Sequence, residues 1–298
     1  MTDVDSLFRR FEANLRMSPS TVESVRLRYR AITRRLNLDF WEIESETQHS
    51  WYAGSYGRGT AISTSDIDIL VELSADLQKQ YWAATLFGQN GPSQLLQKVK
   101  NSLQRTYPTT RLRGDGQVVV VEFSDKTKFE VVPVFNEGCG TFSYPDTHKG
   151  GSWPEMRPKA ELAAFNDLAR ARPGGLKKFC RMLRAWNQEF CSVLSGQAID
   201  AMAYEYWQTS KWADESPFLY FDWHIRDFFA YWADEFNRGG VVVAPGTRRC
   251  IEISDMGQNV EFFNTLRGIA KEAAECSYES ESGSKYWRLI FGDRFPAS

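Results

Sequence analysis

Apolar residues recur at helical spacing over residues 5–37, with a break at Ser18-Pro19-Ser20-Thr21 that offers a fresh N-cap before Val22, Val25, Leu27, Tyr29, Ile32 and Leu36. The pattern changes over residues 51–73. Gly54, Gly57 and Gly59 make a glycine-rich turn, and Ile67, Ile69, Leu70 and Val71 then read as a strand. Leu95, Leu96, Val99 and Leu103 give residues 91–107 the period of an amphipathic helix. A β-branched run over 117–123, a turn at Ser124-Asp125-Lys126-Thr127 and an apolar run over 129–135 predict a hairpin. Residues 145–158 are rich in Pro, Gly, Ser and charge without periodicity, so they read as a linker. Helices are expected beyond it over 159–170, 173–194, 197–211, 217–238 and 259–277, with an extended stretch at 241–254 and no clear pattern over 278–298. The expected class is α/β in the α+β sense, divided at 1–150 and 151–298.

Composition narrows the function without naming it. The chain has 298 residues, 42% hydrophobic and 25% charged, a balance that supports a large core without staples. A formal net charge of −2 gives no bulk attraction for nucleic acid, so an anionic ligand needs a local cation cluster, and no nucleic-acid activator is indicated. Five scattered cysteines without a CxxC, and three scattered histidines, argue against a zinc site or a disulfide framework. The start, MTDVDSLFRR, lacks an apolar signal core, and no run of 18 apolar residues occurs, so a cytoplasmic location away from membranes is expected. The aromatic series Tyr204, Tyr206, Trp207, Trp212, Phe218, Tyr220, Phe221, Trp223, Phe228, Phe229, Tyr231 and Trp232 has the density and helical spacing of core packing rather than of a base-stacking platform. Arg26, Arg28, Arg30, Arg34 and Arg35 read as a solvated helix face, the alternative being a contact surface.

The chemistry lies in Gly54-Ser55-Tyr56-Gly57-Arg58-Gly59-Thr60 and Ser65-Asp66-Ile67-Asp68-Ile69-Leu70-Val71. Asp66 and Asp68 stand two apart on the expected strand, so both carboxylates point to one face. Like charges held together are costly unless a cation sits between them, and a hard divalent ion such as Mg²⁺ (or Mn²⁺) takes oxygen ligands and bridges phosphates. Upstream, Gly54 lets backbone approach phosphate oxygens and the Ser55 hydroxyl can donate to one. Glu130, in the apolar run Phe129-Glu130-Val131-Val132-Pro133, is the expected third acid, because an unpaired charge there is expensive. Its rivals are Glu122, Asp125 and Asp115. Two metal positions would explain all three acids.

Together these residues resemble the polymerase-β-like nucleotidyltransferases, and the string GSYGRGTAISTSDIDILVEL resembles the narrower branch of bacterial cGAS/DncV-like nucleotidyltransferases, the CD-NTases. The likeness is clearest over 51–73 and 128–135 and weaker over 173–210. It implies a bilobed enzyme with a nucleotidyltransferase core and a helical second lobe closing an active-site cleft. Such enzymes join NTPs, ATP among them, into cyclic di- or trinucleotides that serve as anti-phage signals for an effector or regulatory partner encoded nearby. Asp66, Asp68 and Glu130 would match the metal-binding triad, and Gly54 and Ser55 the triphosphate contact.

The match has departures. The third acid is Glu where Asp is frequent. Arg184-Ala185-Trp186-Asn187 stands where relatives carry Lys-x-Trp, and Ala201-Met202-Ala203-Tyr204-Glu205 only approximates a Ser-Tyr-x-Leu-Glu element. Lys177, Arg181 and Arg184 fall at i, i+4 and i+7, so they either line a phosphate-binding surface or decorate a solvated face, as does Lys178. Asn166 can read a base edge or sit at a helix surface. Two rival functions share these residues: nucleotidyl transfer to an antibiotic, a tRNA end or a protein, and a binding protein with a dead site.

Overall fold

The computed structural model describes residues 3–253, 256–277 and 280–297; Met1, Thr2, the Ser254 that ends the expected extended stretch, Asp255, Tyr278, Glu279 and Ser298 lie outside the described residues. The chain forms two compact units, one of residues 17–57 and 64–159, the other of 1–16, 58–63 and 160–298. The passage at 159/160 falls nine residues after the expected boundary at 150/151, and the first helix and a short strap, 58–63, join the helical unit.

In the sheet unit, α2 (Pro19–Phe40) starts where the sequence predicts, with the Ser18 hydroxyl accepting from the Thr21 N–H at 3.1 Å and Pro19 in the first turn. The strands are β1 (Ser50–Tyr52), β2 (Ile67–Glu72), β3 (Arg111–Asp115), β4 (Val118–Glu122), β5 (Lys128–Gly138), β6 (Thr141–Ser143) and β7 (Glu155–Met156). They run in the order β1-β2-β5-β4-β3, with β6 on the far end of β5 and β7 on β6. The predicted β4–β5 hairpin is present, and β2 pairs with β5 in parallel. Ile67, Ile69, Phe129, Val131, Val119 and Val121 face Val25, Ile32 and Leu36 of α2 and Leu95, Leu96, Val99 and Leu103 of α5 (Gly91–Thr106). Burying each such side chain contributes roughly 1.5–3 kcal/mol. That packing fixes the register, because a one-residue slip would swap this face for the acid-bearing one. Helix α3 (Gly54–Arg58) links the units, and α4 (Ala75–Leu86) buries only Tyr81.

The helical unit holds α1 (Asp3–Leu15), α6 (Pro158–Ala171), α7 (Leu176–Glu189), α8 (Gly196–Thr209), α9 (Phe221–Asn237), a ribbon of β8 (Val242–Val243) and β9 (Cys250–Ile251), α10 (Met256–Glu275) and α11 (Ser280–Phe291). Helix α7 is its spine: Phe179, Cys180, Met182, Leu183, Ala185 and Trp186 are fully buried. Phe179 meets Tyr206, Trp207, Phe221 and Phe228, and Trp186 meets Phe229 and Phe263, so much of the aromatic series is core, as expected. Helix α1 joins this unit because Val4, Leu7, Phe8 and Phe11 pack into the same core, with Phe8 edge-on to Trp287 at 5.2 Å. Among the described residues no helix is long and apolar enough to cross a membrane.

Candidate active site

Strand β2 begins at Ile67, so Asp66 immediately precedes it and Asp68 is its second residue. Asp68 is registered with Glu130 of β5, and Glu130 in turn with Val120 of β4. Registered residues on adjacent strands share a face about 4.8 Å apart. Their neighbours Ile67, Ile69, Phe129 and Val131 point into the core, so Asp68 and Glu130 occupy the opposite face side by side.

The glycine turn is built onto the same carboxylate. The Ala53 N–H donates to the Asp68 carbonyl at 2.9 Å, and Gly54 takes φ +53°, where a Cβ would overlap the Asp68 carboxylate outright. Only glycine fits there. Ser55 follows in α3 and is buried. Tyr29 stacks on Tyr52 with centroids 4.2 Å apart, and Tyr56 tilts against Tyr52 at 4.7 Å, so the three rings buttress the turn.

Glu130 is pushed up to about 7, first by burial and then by the charges of Asp68, Asp66 and Asp115, with Lys128 opposing. The rivals for its place have other work. Glu122 pairs with Arg111 at 3.5 Å. Asp125 pairs with Arg28 at 2.9 Å, and the Arg28 hydrogen bond holds its carboxyl down at about 2. Asp115 pairs with Arg113. Among the described residues no three His, Cys, Asp or Glu side chains already converge as a metal cage. The donors are nonetheless all hard oxygen ligands, and a Glu130 raised by burial and further by the charges of Asp68 and Asp66 is an arrangement a hard divalent cation relieves. The residues fit such an ion, which Asp66, Asp68 and Glu130 would hold.

In the helical unit, Asn166 of α6 and Lys177, Lys178 and Arg181 of α7 line one pocket of about 610 Å³ with Arg170. The Asn166 Oδ1 is buried without a partner. Burial pushes Lys177 down, helped by the nearby Arg181 charge, and burial also lowers Lys178. Arg181 donates to the Gly59 carbonyl at 2.6 Å and to the buried Glu12. A larger depression of about 900 Å³ around α5, lined by Asp39, Asn90, Gln94, Gln97 and Arg105, contains none of the candidate residues.

Arg184, expected in the phosphate-binding stripe, is accounted for without a ligand. It is mostly buried, donating to Asp200 at 2.7 Å and to the Gly196 carbonyl at 2.8 Å. Arg58 and Thr60 of the strap reach the same carboxylate at 2.7 and 2.8 Å. A Cβ at position 196 would overlap the Arg184 guanidinium, which is why glycine opens α8. Burial would raise the Asp200 pKa, but the charges of Arg184 and Arg58 outweigh it and hold the group down. The arginines of α2 are likewise matched: Arg26 to Glu23, Arg28 to Asp125, Arg30 to Glu46, Arg34 to Glu44 and Arg35 to Asp39.

Residues 1–168 match the Second Messenger Oligonucleotide or Dinucleotide Synthetase domain. The chain belongs to this family. It is a cGAS/DncV-like nucleotidyltransferase, an enzyme on a polymerase-β-like fold. The synthetase is similar to the cyclic AMP-AMP-AMP synthase of Acinetobacter sp. (strain ATCC 27244 / 9458), 21% identical over 258 residues that span 84% of this chain and 73% of that one. Its fold is similar to the Bradyrhizobium diazoefficiens CD-NTase CdnG in complex with GTP, with TM-score 0.74 and 12% identity over 98% of this chain and 96% of that one. It is also similar to the E. coli MS115-1 CdnC:HORMA-deltaN complex, with TM-score 0.72 and 14% identity over 99% and 98% of the two chains.

Two features of the synthetase escaped the sequence reading. Asp200, Arg58 and Thr60 form a buried polar knot, and its signal was an acid in the apolar run Ala198-Ile199-Asp200-Ala201-Met202, the same signal that marks Glu130. In the departed Ser-Tyr-x-Leu-Glu element, Tyr204 stacks on Phe165 at 6.3 Å, while the Glu205 Oε2 is buried without a partner and burial pushes its pKa up.

Proposed function

We propose that this synthetase joins NTPs into a cyclic di- or trinucleotide messenger with release of pyrophosphate, using Asp66, Asp68 and Glu130 as its catalytic acids. The observation that carries the reading is the register of Asp68 with Glu130, with the Gly54 turn seated on the Asp68 carboxylate. Gly54 keeps side chains out of the way of a triphosphate, and Ser55 is the hydroxyl nearest to it in sequence. Held by the three acids, Mg²⁺ or Mn²⁺ would supply Lewis acidity at the α-phosphate and offset the crowded negative charge. In the transfer, the acceptor hydroxyl loses its proton to solvent and its oxygen bonds to the α-phosphorus as the bond from that phosphorus to the α,β-bridging oxygen breaks, and that electron pair leaves with pyrophosphate.

The pocket of Asn166, Lys177, Lys178 and Arg181 is assigned to NTP recognition. Lysines and an arginine there suit phosphate oxygens, and the orphaned Asn166 Oδ1 suits a base amine. Arg184 is left out of this set. The names of the similar proteins, one making a cyclic AMP-AMP-AMP and one holding GTP, support purine NTPs, ATP among them. The HORMA partner of CdnC supports a regulatory protein partner. A cytoplasmic role in anti-phage signalling, through an effector encoded nearby, follows from the same reading.

The direct test incubates the protein with four labelled NTPs and Mg²⁺ or Mn²⁺, treats the mixture with phosphatase, and identifies what survives by mass spectrometry. A phosphatase-resistant oligonucleotide is expected. Label appearing only on added RNA or protein would replace this reading with transfer to another acceptor.

A further inference from the structure

Helix α1 brings charge as well as an apolar face into the helical unit. Glu12, in its last turn, is buried. Its Oε1 accepts from the Arg181 Nε at 2.8 Å and from Nη2, and its Oε2 accepts from the Arg16 Nε at 3.0 Å. Burial alone would raise the Glu12 pKa, but the Arg16 hydrogen bond and the Arg181 charge outweigh it, so the group stays ionised.

The other side of the Arg181 guanidinium donates from Nη1 to the Gly59 carbonyl at 2.6 Å. Gly59 takes φ +73°, and a Cβ there would lie 3.7 Å from the Lys177 Nζ, so two pocket cations meet the strap at one residue. Helix α1 also holds the far end of the strap, because the Leu15 carbonyl accepts from the Ser63 N–H at 2.8 Å. Glu12 and Gly59 take three of the five N–H groups of Arg181, which leaves one on each Nη for a ligand in the pocket it lines. A fork held in this way loses less freedom on meeting phosphate than a loose one.

We propose that Glu12 is a positioning residue for NTP binding: it holds Arg181 against the Gly59 carbonyl, with the remaining N–H groups aimed into the pocket beside Lys177. This rests on the assignment of that pocket to NTP recognition and extends it to a helix that contributes no residue to the lining. A carboxylate that only competed with phosphate for Arg181 would act with the opposite sign. Its removal would then tighten NTP binding, whereas removal of a positioning group loosens it.

The test is a double-mutant cycle on the KM for each NTP the enzyme uses, read beside kcat and melting temperature. Glu12→Gln is expected to raise KM about fivefold with kcat within about twofold of wild type, and Glu12→Asp, which keeps the charge, to recover part of that loss. Arg181→Gln should raise KM about tenfold, and adding Glu12→Gln to it should change KM by less than about twofold, because Glu12 acts through Arg181. Effects that multiply in the double variant, or an unchanged or lower KM in Glu12→Gln, overturn the proposal. If Glu12→Gln does not stay folded, Glu12→Asp and Arg16→Gln take its place. A KM rise in both that disappears in the Arg181→Gln background supports the proposal, and an unchanged KM in both overturns it. If wild type joins no NTPs, the transfer reading fails, and calorimetric binding of ATP and GTP without metal runs the same cycle. Weaker binding in Glu12→Gln that Arg181→Gln masks then supports the positioning role. Equal or tighter binding, or a wild type that binds neither nucleotide, overturns it.

Discussion

Glu130 and Asp200 begin as the same sequence signal, a lone acid in an apolar run, and the folded protein treats them in opposite ways. Asp200 is surrounded by its counter-charges: Arg58, Arg184 and Thr60 all donate to it, and its pKa is held down despite complete burial. Glu130 is surrounded by its own kind: burial raises it, and the charges of Asp68, Asp66 and Asp115 raise it further, to about 7. A satisfied buried acid is part of the frame, whereas an acid crowded by other acids keeps a fold together only at a cost and makes sense when something cationic arrives. Burial raises both acids, and the sign of the neighbours, adding to it at Glu130 and opposing it at Asp200, separates the two.

The sharpest way to break that contrast is to neutralise one acid of each kind. Asp68→Asn should reduce pyrophosphate release on the order of 10³-fold or more, the loss of several kcal/mol of transition-state stabilisation. Its melting temperature should hold or rise, since a like charge beside Glu130 is gone. Asp200→Ala should do the reverse in stability. It strands two arginines in the core and should cost about 3–5 kcal/mol, roughly a 10 °C fall in the melting of the helical unit. Replacing the three charged groups there together, Asp200→Leu with Arg58→Met and Arg184→Met, should recover most of the loss, because a packed apolar core substitutes for a buried ion network. An Asp200→Ala protein that melts like wild type would erase the distinction.

The two acids also predict opposite responses to pH. A carboxyl raised on folding keeps its proton in the folded chain where the unfolded chain has lost it. The folded state then binds more protons, and stability falls as pH climbs from the ordinary carboxylate range to about 7. For Asp200 the folded pKa is lowered, so its contribution is present above the ordinary carboxylate pKa and is lost only as pH drops below it. Melting curves from pH 4 to 8, with chelator and with Mg²⁺, separate these arms. The stabilisation by Mg²⁺ should grow between pH 5 and 8 and vanish in Glu130→Gln. A Mg²⁺ effect that is flat with pH would remove Glu130 from the metal site.

Much of this was legible in the sequence, and the illegible parts have physical reasons. The shared face of Asp68 and Glu130 could be foreseen because strands alternate with period two and because charge in an apolar run needs an explanation. Helices α2 and α5 showed because each buries one continuous stripe. Helix α4 did not, since Tyr81 is its one buried residue, and β3 did not, since Leu112 alone marks its inner face. Strand β7 is two residues inside what reads as linker. The amphipathic α1 announces an apolar face but not which unit will cover it. The partner of Asp200 was hidden by distance: Arg58 lies 142 residues earlier in the chain. Arg184 looked like a ligand-facing cation because periodicity gives a face, and only the fold shows that Asp200 and the Gly196 carbonyl already occupy it.

That last reassignment yields the smallest effect and the finest discrimination. Lys177 and Arg184 share a helix, α7, and a charge, yet one lines an open pocket and the other is locked in the core. Lys177→Gln should therefore raise the KM for NTP about tenfold, the worth of one phosphate contact of about 1.4 kcal/mol, with little change in melting. Arg184→Gln should lower melting by several degrees, because Asp200 keeps only Arg58 as counter-charge, and its KM should follow wild type at temperatures where it stays folded. Measuring KM and melting temperature on the same preparations tests both halves at once. If Arg184→Gln raised KM as much as Lys177→Gln while leaving melting untouched, the stripe would act as one phosphate-binding surface, and the division drawn between paired and unpaired charge would fail on this helix.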